Sequence, residues 1–301
     1  MTTRRKLMSW LVAAVVLCAA CGAARAADST AVAKGTVPFS NDPDIVYKKK
    51  ALFPLWKEKL KLDQLRRLPP PYGVMLLGNW MDSDWKFKSA SLTIGGSNPI
   101  PIAAANLATM DLNIGTTGFK GDIWVLPFLD LMGGGGNVDV DATLGLRDIP
   151  VEAAVNPAHG DAIIPMQFKG SYYSFGLVGA MAYQHYYGAV DMSWVKTNLS
   201  SDEASLSSSG FWTFTAAPKF GYNAGLSQVY IGARYISKNE HYEGTVNLPN
   251  GNPLGFDVNI TTNTWAPNAG IRTVIQNHWE VLMEVAGGVR HQITTGIGYR
   301  W

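Results

Sequence analysis

Four ionisable residues near the C-terminus have the spacing that could support chemistry inside a protein. Arg272, Glu280, Glu284 and Arg300 lie at even positions in segments where residues alternate between large apolar and small or polar types. Because alternate residues of a strand point to the same face, these four share one face. The positions of Arg272 and Glu280 are symmetric about a turn centred on residue 276, which predicts that they are cross-strand neighbours, with Arg300 on the next strand.

The same alternation, extended along the chain, predicts a larger network of charges facing the interior of a barrel. Two interpretations stay open: paired charges that brace a narrow lumen, or a charged pore lining that selects solutes. The predicted lumen network is Asp111, Asp139, Asp141, Asp191, Lys219, Arg234, Arg272, Glu280, Glu284 and Arg300.

Catalysis would need a nucleophile, a base and an orienting group, and only His291 among the five histidines suggests one. It lies at the extracellular end of the last predicted strand, where closure of a barrel would bring Asp82 and Ser83 close. That grouping resembles outer-membrane phospholipases, although no sequence around Ser83 matches them. We therefore predict no catalytic residue, with a lipid-acting hydrolase as a distant alternative.

Asp82 and Asp84 are the carboxylates considered for a metal. Together they supply too few oxygens for calcium, which takes six to eight, so neither a metal nor a cofactor is predicted.

The elements that must position these residues are β-strands. In the final segment Ile293, Ile297 and Tyr299 face one way, while Gly296 and Gly298 face the other. A soluble sandwich usually carries Lys and Glu on its polar face. Here charged residues are only 16% of the chain, and the polar face is mostly Gly, Ser, Thr and Asn. Small polar residues inside and apolar residues outside predict a transmembrane antiparallel up-and-down β-barrel.

We predict about twelve strands, and ten or fourteen also fit. An even number leaves both ends of the barrel on the periplasmic side. Short periplasmic turns are expected at 132–136, 183–185, 223–226 and 274–277, and long extracellular loops at 147–165, 200–209 and 238–262. The predicted strands are 72–81, 85–95, 105–116, 121–132, 137–146, 166–182, 186–199, 210–222, 227–237, 263–273, 278–287 and 291–301.

Three domains are predicted along the chain. Residues 1–26 have a basic start, an apolar stretch and Ala24-Arg25-Ala26 before Ala27, which is the pattern of a signal peptide. Both cysteines lie within it, so no disulfide is expected afterwards. Residues 27–71 are predicted to be a periplasmic extension, with a basic amphipathic helix of net charge +6 between 48 and 68. Residues 72–301 form the barrel.

Two stretches carry a resemblance to known proteins. The ending Gly296-Ile297-Gly298-Tyr299-Arg300-Trp301 resembles the C-terminal assembly signal of Gram-negative outer-membrane proteins, with Ile297, Tyr299 and Trp301 as its alternate apolar positions. Segments 69–73, 81–84 and 122–129, with 138–141, resemble a family of uncharacterised proteobacterial outer-membrane proteins. The resemblance implies the bacterial outer membrane as location, with the barrel assembly machinery, membrane lipids and lipopolysaccharide as partners. It implies no activity.

Functionally, the sequence favours a passive, porin-like transport channel for small solutes. The alternative is a structural or surface-interaction barrel with a filled lumen, because twelve strands lie between small filled barrels and wide open porins. A secretion barrel is a third option, but residues 27–71 are too short to be a passenger. No nucleic-acid partner is predicted. The oligomeric state is not predicted.

Overall fold

The computed structural model describes the chain from residue 52 to residue 301, with internal gaps. The described residues are 52–60, 69–85, 87–94, 100–102, 107–147, 161–201, 204–206, 210–247, 253–276, 278–288 and 290–301. The predicted signal peptide lies outside them, as do residues 148–160 of the predicted first long loop.

The described residues form one antiparallel sheet of 13 strands, ten of which close into a barrel. The ring order is β1, β4, β5, β6, β7, β9, β10, β11, β12, β13 and back to β1. The strands are β1 (Tyr72–Trp85), β2 (Phe87–Ile94), β3 (Ile100–Ile102), β4 (Leu107–Leu126), β5 (Leu129–Arg147), β6 (Asp161–Tyr183), β7 (Tyr186–Ser200), β8 (Ala204–Leu206), β9 (Phe211–Ala224), β10 (Ser227–Asn247), β11 (Pro253–Ile275), β12 (Trp279–Ala286) and β13 (Arg290–Arg300).

The barrel closes where its first strand meets its last. β1 pairs with β13 from Gly73 opposite Arg300 to Ser83 opposite Arg290. At the end of this seam the amide of Tyr72 donates to the carbonyl of Trp301, and the amide of Trp301 donates to the carbonyl of Tyr72, at 3.1 and 3.0 Å. Closure satisfies backbone groups that would otherwise form two open edges, which a hydrocarbon environment does not tolerate.

The prediction of twelve wall strands was wrong by two. The predicted strands 105–116 and 121–132 share one strand, β4, which continues to Leu126, and the periplasmic turn falls at Pro127 and Phe128. The predicted strand 85–95 contains β2, which pairs with β11 and β3 and lies outside the ring. The predicted loop 238–262 is mostly strand, because β10 and β11 extend to Asn247 and from Pro253.

Four consecutive glycines explain the misplaced turn. Gly133–Gly136 was predicted to be a turn, yet these glycines lie in the interior of β5, opposite Gly121 to Gly118 of β4. A Cβ at Gly134 or Gly136 would collide with the backbone of β4, and one at Gly118 would collide with the Tyr172 hydroxyl. The glycines therefore allow close contact between the strands and leave room in the lumen for the Tyr172 ring.

The strands β12 and β2 pair with different parts of β11 on the same side. A stretch of β11 between these parts has no strand partner among the described residues. On one side of β11, Asn268 pairs with Ala286 of β12, and farther up Ile260 pairs with Phe87 of β2. Between these points, residues 261–266 of β11 have no strand partner on that side within the described part of the chain. The β12–β13 hairpin ends below this level, with the amide of Gly287 donating to the carbonyl of Pro267 at 3.0 Å.

The segment before the barrel lies against the periplasmic turn of β4 and β5. The predicted helix over 48–68 is not present in its described part, residues 52–60, where Lys57–Lys59 form a single 3-10 turn. The amide of Leu55 donates to the carbonyl of Val125 at 2.8 Å, and the Trp56 and Phe128 rings lie 6.5 Å apart. Residues 61–68 are outside the described part of the chain.

Deleting residues 27–68 is expected to leave a foldable barrel. Its described residues, 52–60, contribute a few contacts at the rim, and Trp56 is 59% exposed, so their loss removes little buried surface. Heat-modifiable migration on gels after refolding in detergent would measure the folded fraction. Loss of the folded band in the deletion variant would show that the segment belongs to the core of the barrel.

Candidate functional site in the barrel lumen

Two rings of outward aromatic residues mark the part of the barrel that fits a membrane. On β6 they are Tyr173 and Tyr183, which are 50% and 76% exposed, and on β9 they are Trp212 and Tyr222. The spacing within each pair matches the roughly 9 to 11 residues that a tilted strand needs to cross a bilayer. Exposed aliphatic side chains such as Ile231, at 68%, lie between the two rings. The outer surface therefore has the apolar band and two aromatic girdles of a transmembrane barrel.

The periplasmic end of the lumen holds a network that we call the lower charge cluster: Lys120, Asp122, Asp130, Arg272, Glu280 and Arg300. Arg272 Nη2 donates to Glu280 Oε2 at 2.7 Å, and Arg300 Nη1 lies 3.6 Å from the same oxygen. Arg300 also donates to Asp122 at 2.5 Å and to the carbonyl of Pro70 at 3.3 Å. Glu280 and Arg300 are each 4% exposed, so these two members of the network are buried.

A second network, the upper charge cluster, consists of Asp191, Lys219, Tyr230, Arg234 and Glu284. Glu284 of β12 accepts hydrogen bonds from Arg234 and from the Tyr230 hydroxyl, the latter at 2.7 Å, and lies 3.1 Å from Lys219 Nζ. Lys219 also donates to Asp191 at 2.9 Å. Because these groups come from β7, β9, β10 and β12, their side chains extend across the lumen and tie non-adjacent strands together.

Above the charge clusters the lumen is packed with hydrophobic side chains. This apolar cluster, contributed by β4, β5, β6 and β11, is Leu112, Val138, Val140, Ala142, Met166, Phe168 and Ile260. The outward neighbours in β5 and β6 are polar and exposed, including Asp139, Asp141 and Lys169. Strands that rise above the membrane have water outside, so their alternation is that of a soluble protein, with apolar residues inside.

This reversal corrects three predicted lumen residues. Asp139 and Asp141 are exposed on the outer face, because Val138 and Val140 occupy the inner one. Asp111 also lies on the outward parity, since it precedes the buried, inward Leu112. The structure places the other predicted members inside the barrel, in the lower or upper charge cluster: Asp191, Lys219, Arg234, Arg272, Glu280, Glu284 and Arg300.

Six charged lumen residues were missed from the sequence: Lys120, Asp122, Asp130, Lys238, Glu240 and Arg290. Asp122 and Asp130 lie on either side of the misplaced β4–β5 turn, so the wrong strand boundaries hid them. Lys238 and Glu240, paired at 2.9 Å, lie in the predicted loop 238–262. Arg290 lies one residue before the predicted start of the last strand. The same alternation, extended over the observed strands, places all six on the inward face.

The residues considered for catalysis do not form one group. His291 pairs in register with Asp82, as barrel closure predicts, but Ser83 pairs with Arg290. Successive residues of a strand point to opposite faces, so Ser83 faces the lumen while Asp82 and His291 face outward. The alternation therefore separates the nucleophile from the other two members.

The C-terminal residues of the predicted assembly signal lie on the outer face of the barrel. Ile297 is 51% exposed and Trp301 is 43% exposed, and the Tyr299 and Trp301 rings lie 6.2 Å apart. Within the described residues no cluster of three or more His, Cys, Asp or Glu is arranged to hold a metal. The same residues contain no helix that is long and apolar enough to span a membrane.

The closed ring, the outward apolar band and the inward charges define the class of protein, which is a transmembrane β-barrel of the bacterial outer-membrane type. No protein-family model matches the chain, and the search of curated proteins found no match. The resemblance to one uncharacterised family therefore stays a prediction.

Several solved structures have similar folds. The transport unit of the autotransporter AIDA-I from Escherichia coli is 10% identical, with 85% of this chain and 95% of that chain covered and a TM-score of 0.42. The outer membrane protein OprG from Pseudomonas aeruginosa is 11% identical, with coverages of 77% and 98% and a TM-score of 0.40. The Ralstonia pickettii toluene transporter TbuX is 10% identical, with coverages of 77% and 89% and a TM-score of 0.34. At these scores no activity is transferred from them.

Proposed function

We propose that this chain is an outer-membrane barrel whose lumen is filled by its own side chains, and that it acts as a closed surface barrel with a rigid extracellular extension. The observation that carries this proposal is the burial of charged lumen residues at two levels. Glu280 and Arg300 in the lower charge cluster and Glu284 in the upper one are each 4% exposed. A water-filled pore would leave such groups hydrated, and paired charges inside a narrow barrel are the expected filling.

The extracellular extension supports a role at the cell surface. β5 and β6 rise together above the upper aromatic girdle, paired as far as Arg147 opposite Asp161. The apolar cluster inside this extension stabilises it in water, while Asp139, Asp141 and Lys169 form part of its polar outer face. A surface built on paired strands keeps its shape, which suits interaction with other molecules.

The second candidate is a passive channel for small solutes. It is favoured by the upper charge cluster, where the side chain of Asp191 is 31% exposed and that of Lys219 is 14% exposed. Movement of these side chains would open a charged path. Flux of small solutes into liposomes that carry the purified protein separates the two proposals. A closed barrel gives the flux of protein-free liposomes, whereas faster entry of any small solute would overturn the filled-lumen proposal.

Location in the outer membrane is supported by the signal-peptide pattern and by the outward C-terminal aromatics. Replacing Trp301 by Asp is expected to reduce assembly into the outer membrane, because it removes an aromatic anchor from the periplasmic girdle and places a charge there. The amount of heat-modifiable barrel in membrane fractions measures the effect, with Trp301→Phe as the matched control. Equal levels for the Asp variant and the wild type would count against the role of this residue.

A further inference from the structure

A third polar group lies in the lumen, outside the two charge clusters, and several of its side-chain atoms lack a hydrogen-bond partner among the described residues. Arg290 and Asn268 are each 5% exposed and Gln292 is 9% exposed. Within the described part of the chain no hydrogen-bond partner reaches Nε or Nη2 of Arg290, either polar atom of the Asn268 amide, or Oε1 of Gln292. Folded proteins pair most buried polar atoms, so a group of unpaired ones needs a physical reason.

The three residues are neighbours in the barrel wall. Asn268 of β11 pairs with Ala286 of β12, and Ala286 pairs with Gln292 of β13. Arg290 is two residues from Gln292 on the same strand and therefore shares its inward face. The opposite neighbour of Asn268 is Gly232 of β10, so small residues flank the unpaired amide on both sides.

The neighbouring carboxylate cannot supply the missing partner. Glu284 already contacts Arg234 through Oε1, and Tyr230 and Lys219 through Oε2. Among the described lumen residues the cations are Lys120, Lys219, Arg234, Lys238, Arg272, Arg290 and Arg300, and the anions are Asp122, Asp130, Asp191, Glu240, Glu280 and Glu284. The described lumen residues therefore carry one more positive than negative charge, and the guanidinium of Arg290 has two nitrogens without a described partner.

The unpaired atoms define the chemistry of a ligand. Nε–H and one Nη2–H form the side edge of the guanidinium, which matches the two oxygens of a carboxylate. The Gln292 amide nitrogen donates to Asn79 Oδ1 at 2.6 Å, so its carbonyl oxygen remains as an acceptor. Asn268 offers one donor and one acceptor. A matching molecule therefore has a carboxylate for Arg290 and a hydrogen-bond donor close to it for the amide oxygens.

We propose that Arg290, Asn268 and Gln292 form a binding site for a small hydroxycarboxylate inside the lumen. The unpaired part of the wall gives access, because residues 261–266 of β11 have no strand partner among the described residues on the side where β13 begins with Arg290. The site lies near the upper girdle, where the outward Trp265 is 56% exposed. The proposal does not depend on transport through the barrel, since a closed barrel can bind a solute that enters from the side.

Binding is tested on the purified full chain in detergent, with thermal unfolding as the readout and sodium lactate as the probe. Sodium propionate, which lacks the hydroxyl, and sodium chloride are compared at equal ionic strength. Lactate is expected to raise the unfolding temperature more than propionate, and chloride least, because only a ligand that binds the folded state stabilises it. Equal temperatures in lactate and chloride would overturn the proposal.

Variants separate binding from a structural role. Arg290→Gln is expected to abolish the effect of lactate on the unfolding temperature. Arg290→Lys keeps the positive charge but lacks the two parallel N–H groups, and it is expected to weaken the apparent affinity for lactate about tenfold. The exposed Lys169→Gln is the matched control and should keep the full effect. Asn268→Ala, which leaves only the Gln292 amide oxygen as acceptor, should narrow the difference between lactate and propionate. Without ligand, Arg290→Met should raise the unfolding temperature, because it removes an unpaired buried charge. A fall in that temperature, or an unchanged lactate effect in Arg290→Gln, would show that Arg290 is structural.

Discussion

Replacing Glu280 by Gln is expected to lower the free energy of unfolding by about 3 to 5 kcal/mol, the usual cost of removing one partner from a buried ion pair. Glu280 is 4% exposed and contacts Arg272 at 2.7 Å and Arg300 at 3.6 Å. Its neutralisation leaves two guanidinium groups facing each other without the negative charge that they share. Thermal melts of the refolded barrel measure the change, which should appear as a loss of roughly 10 °C in unfolding temperature.

The matched control is Asp139→Asn, which neutralises an exposed carboxylate on the outer face and should change stability by less than about 0.5 kcal/mol. Planar-bilayer recording of the same proteins adds a second readout. The filled lumen predicts no conductance in the wild type. If Glu280→Gln instead changed stability by less than about 1 kcal/mol and shifted an existing conductance toward anions, the lumen would be an open, hydrated pore.

Replacing Val140 by Asp is expected to prevent stable folding or to cost more than about 4 kcal/mol. Val140 is 6% exposed and belongs to the apolar cluster with Leu112 and Phe168. An aspartate there has no described cation within the cluster and would bury an unpaired charge, one of the largest destabilising effects a single substitution produces. Urea unfolding followed by tryptophan fluorescence measures the loss.

The neighbouring substitution Asp141→Val provides the comparison, because it exchanges the same two residue types one position away. Asp141 is exposed on the outer face, so this change should stay within about 0.5 kcal/mol. The pair tests the inverted alternation of the extracellular extension directly. A tolerated Val140→Asp beside a damaging Asp141→Val would mean that β5 presents its faces in the opposite sense.

The lower charge cluster shows how much of the site the alternation of residues predicts. The sequence predicts that Arg272, Glu280 and Arg300 converge near the periplasmic mouth, and the structure brings their side chains into contact. The register differs, since Arg272 pairs with Leu282 and not with Glu280. A turn centred one residue later shifts the pairing by two positions, which keeps every side chain on its face. The contact therefore forms diagonally.

The alternation of residues alone does not predict which residues face the lumen in the extracellular half of the barrel. The pattern around Val138 and Asp139 predicts that the two residues point to opposite faces. Whether the outer face meets lipid or water depends on the height of that part of the strand relative to the membrane. That height follows from strand length, which the Gly133–Gly136 run concealed by resembling a turn. Asp122 and Asp130 are absent from the predicted lumen network because the boundary between β4 and β5 was misplaced in the same way. The lack of a described hydrogen-bond partner for Nε and Nη2 of Arg290 depends on side chains of other strands and has no signal in the sequence.

The contact between Arg300 and Asp122 has a consequence for the order of assembly. These residues are separated by 178 positions, and Arg300 reaches Asp122 only across β1, the strand that joins β13 to β4. Before the two ends of the sheet meet, both charges can remain hydrated, so the open intermediate avoids the penalty of burying them singly. Their desolvation and pairing then coincide with the formation of eleven β1–β13 residue pairs. We therefore expect the last step of insertion to be one cooperative event, in which the amide protons of Tyr72 and Trp301 gain protection from exchange together with the rest of that seam.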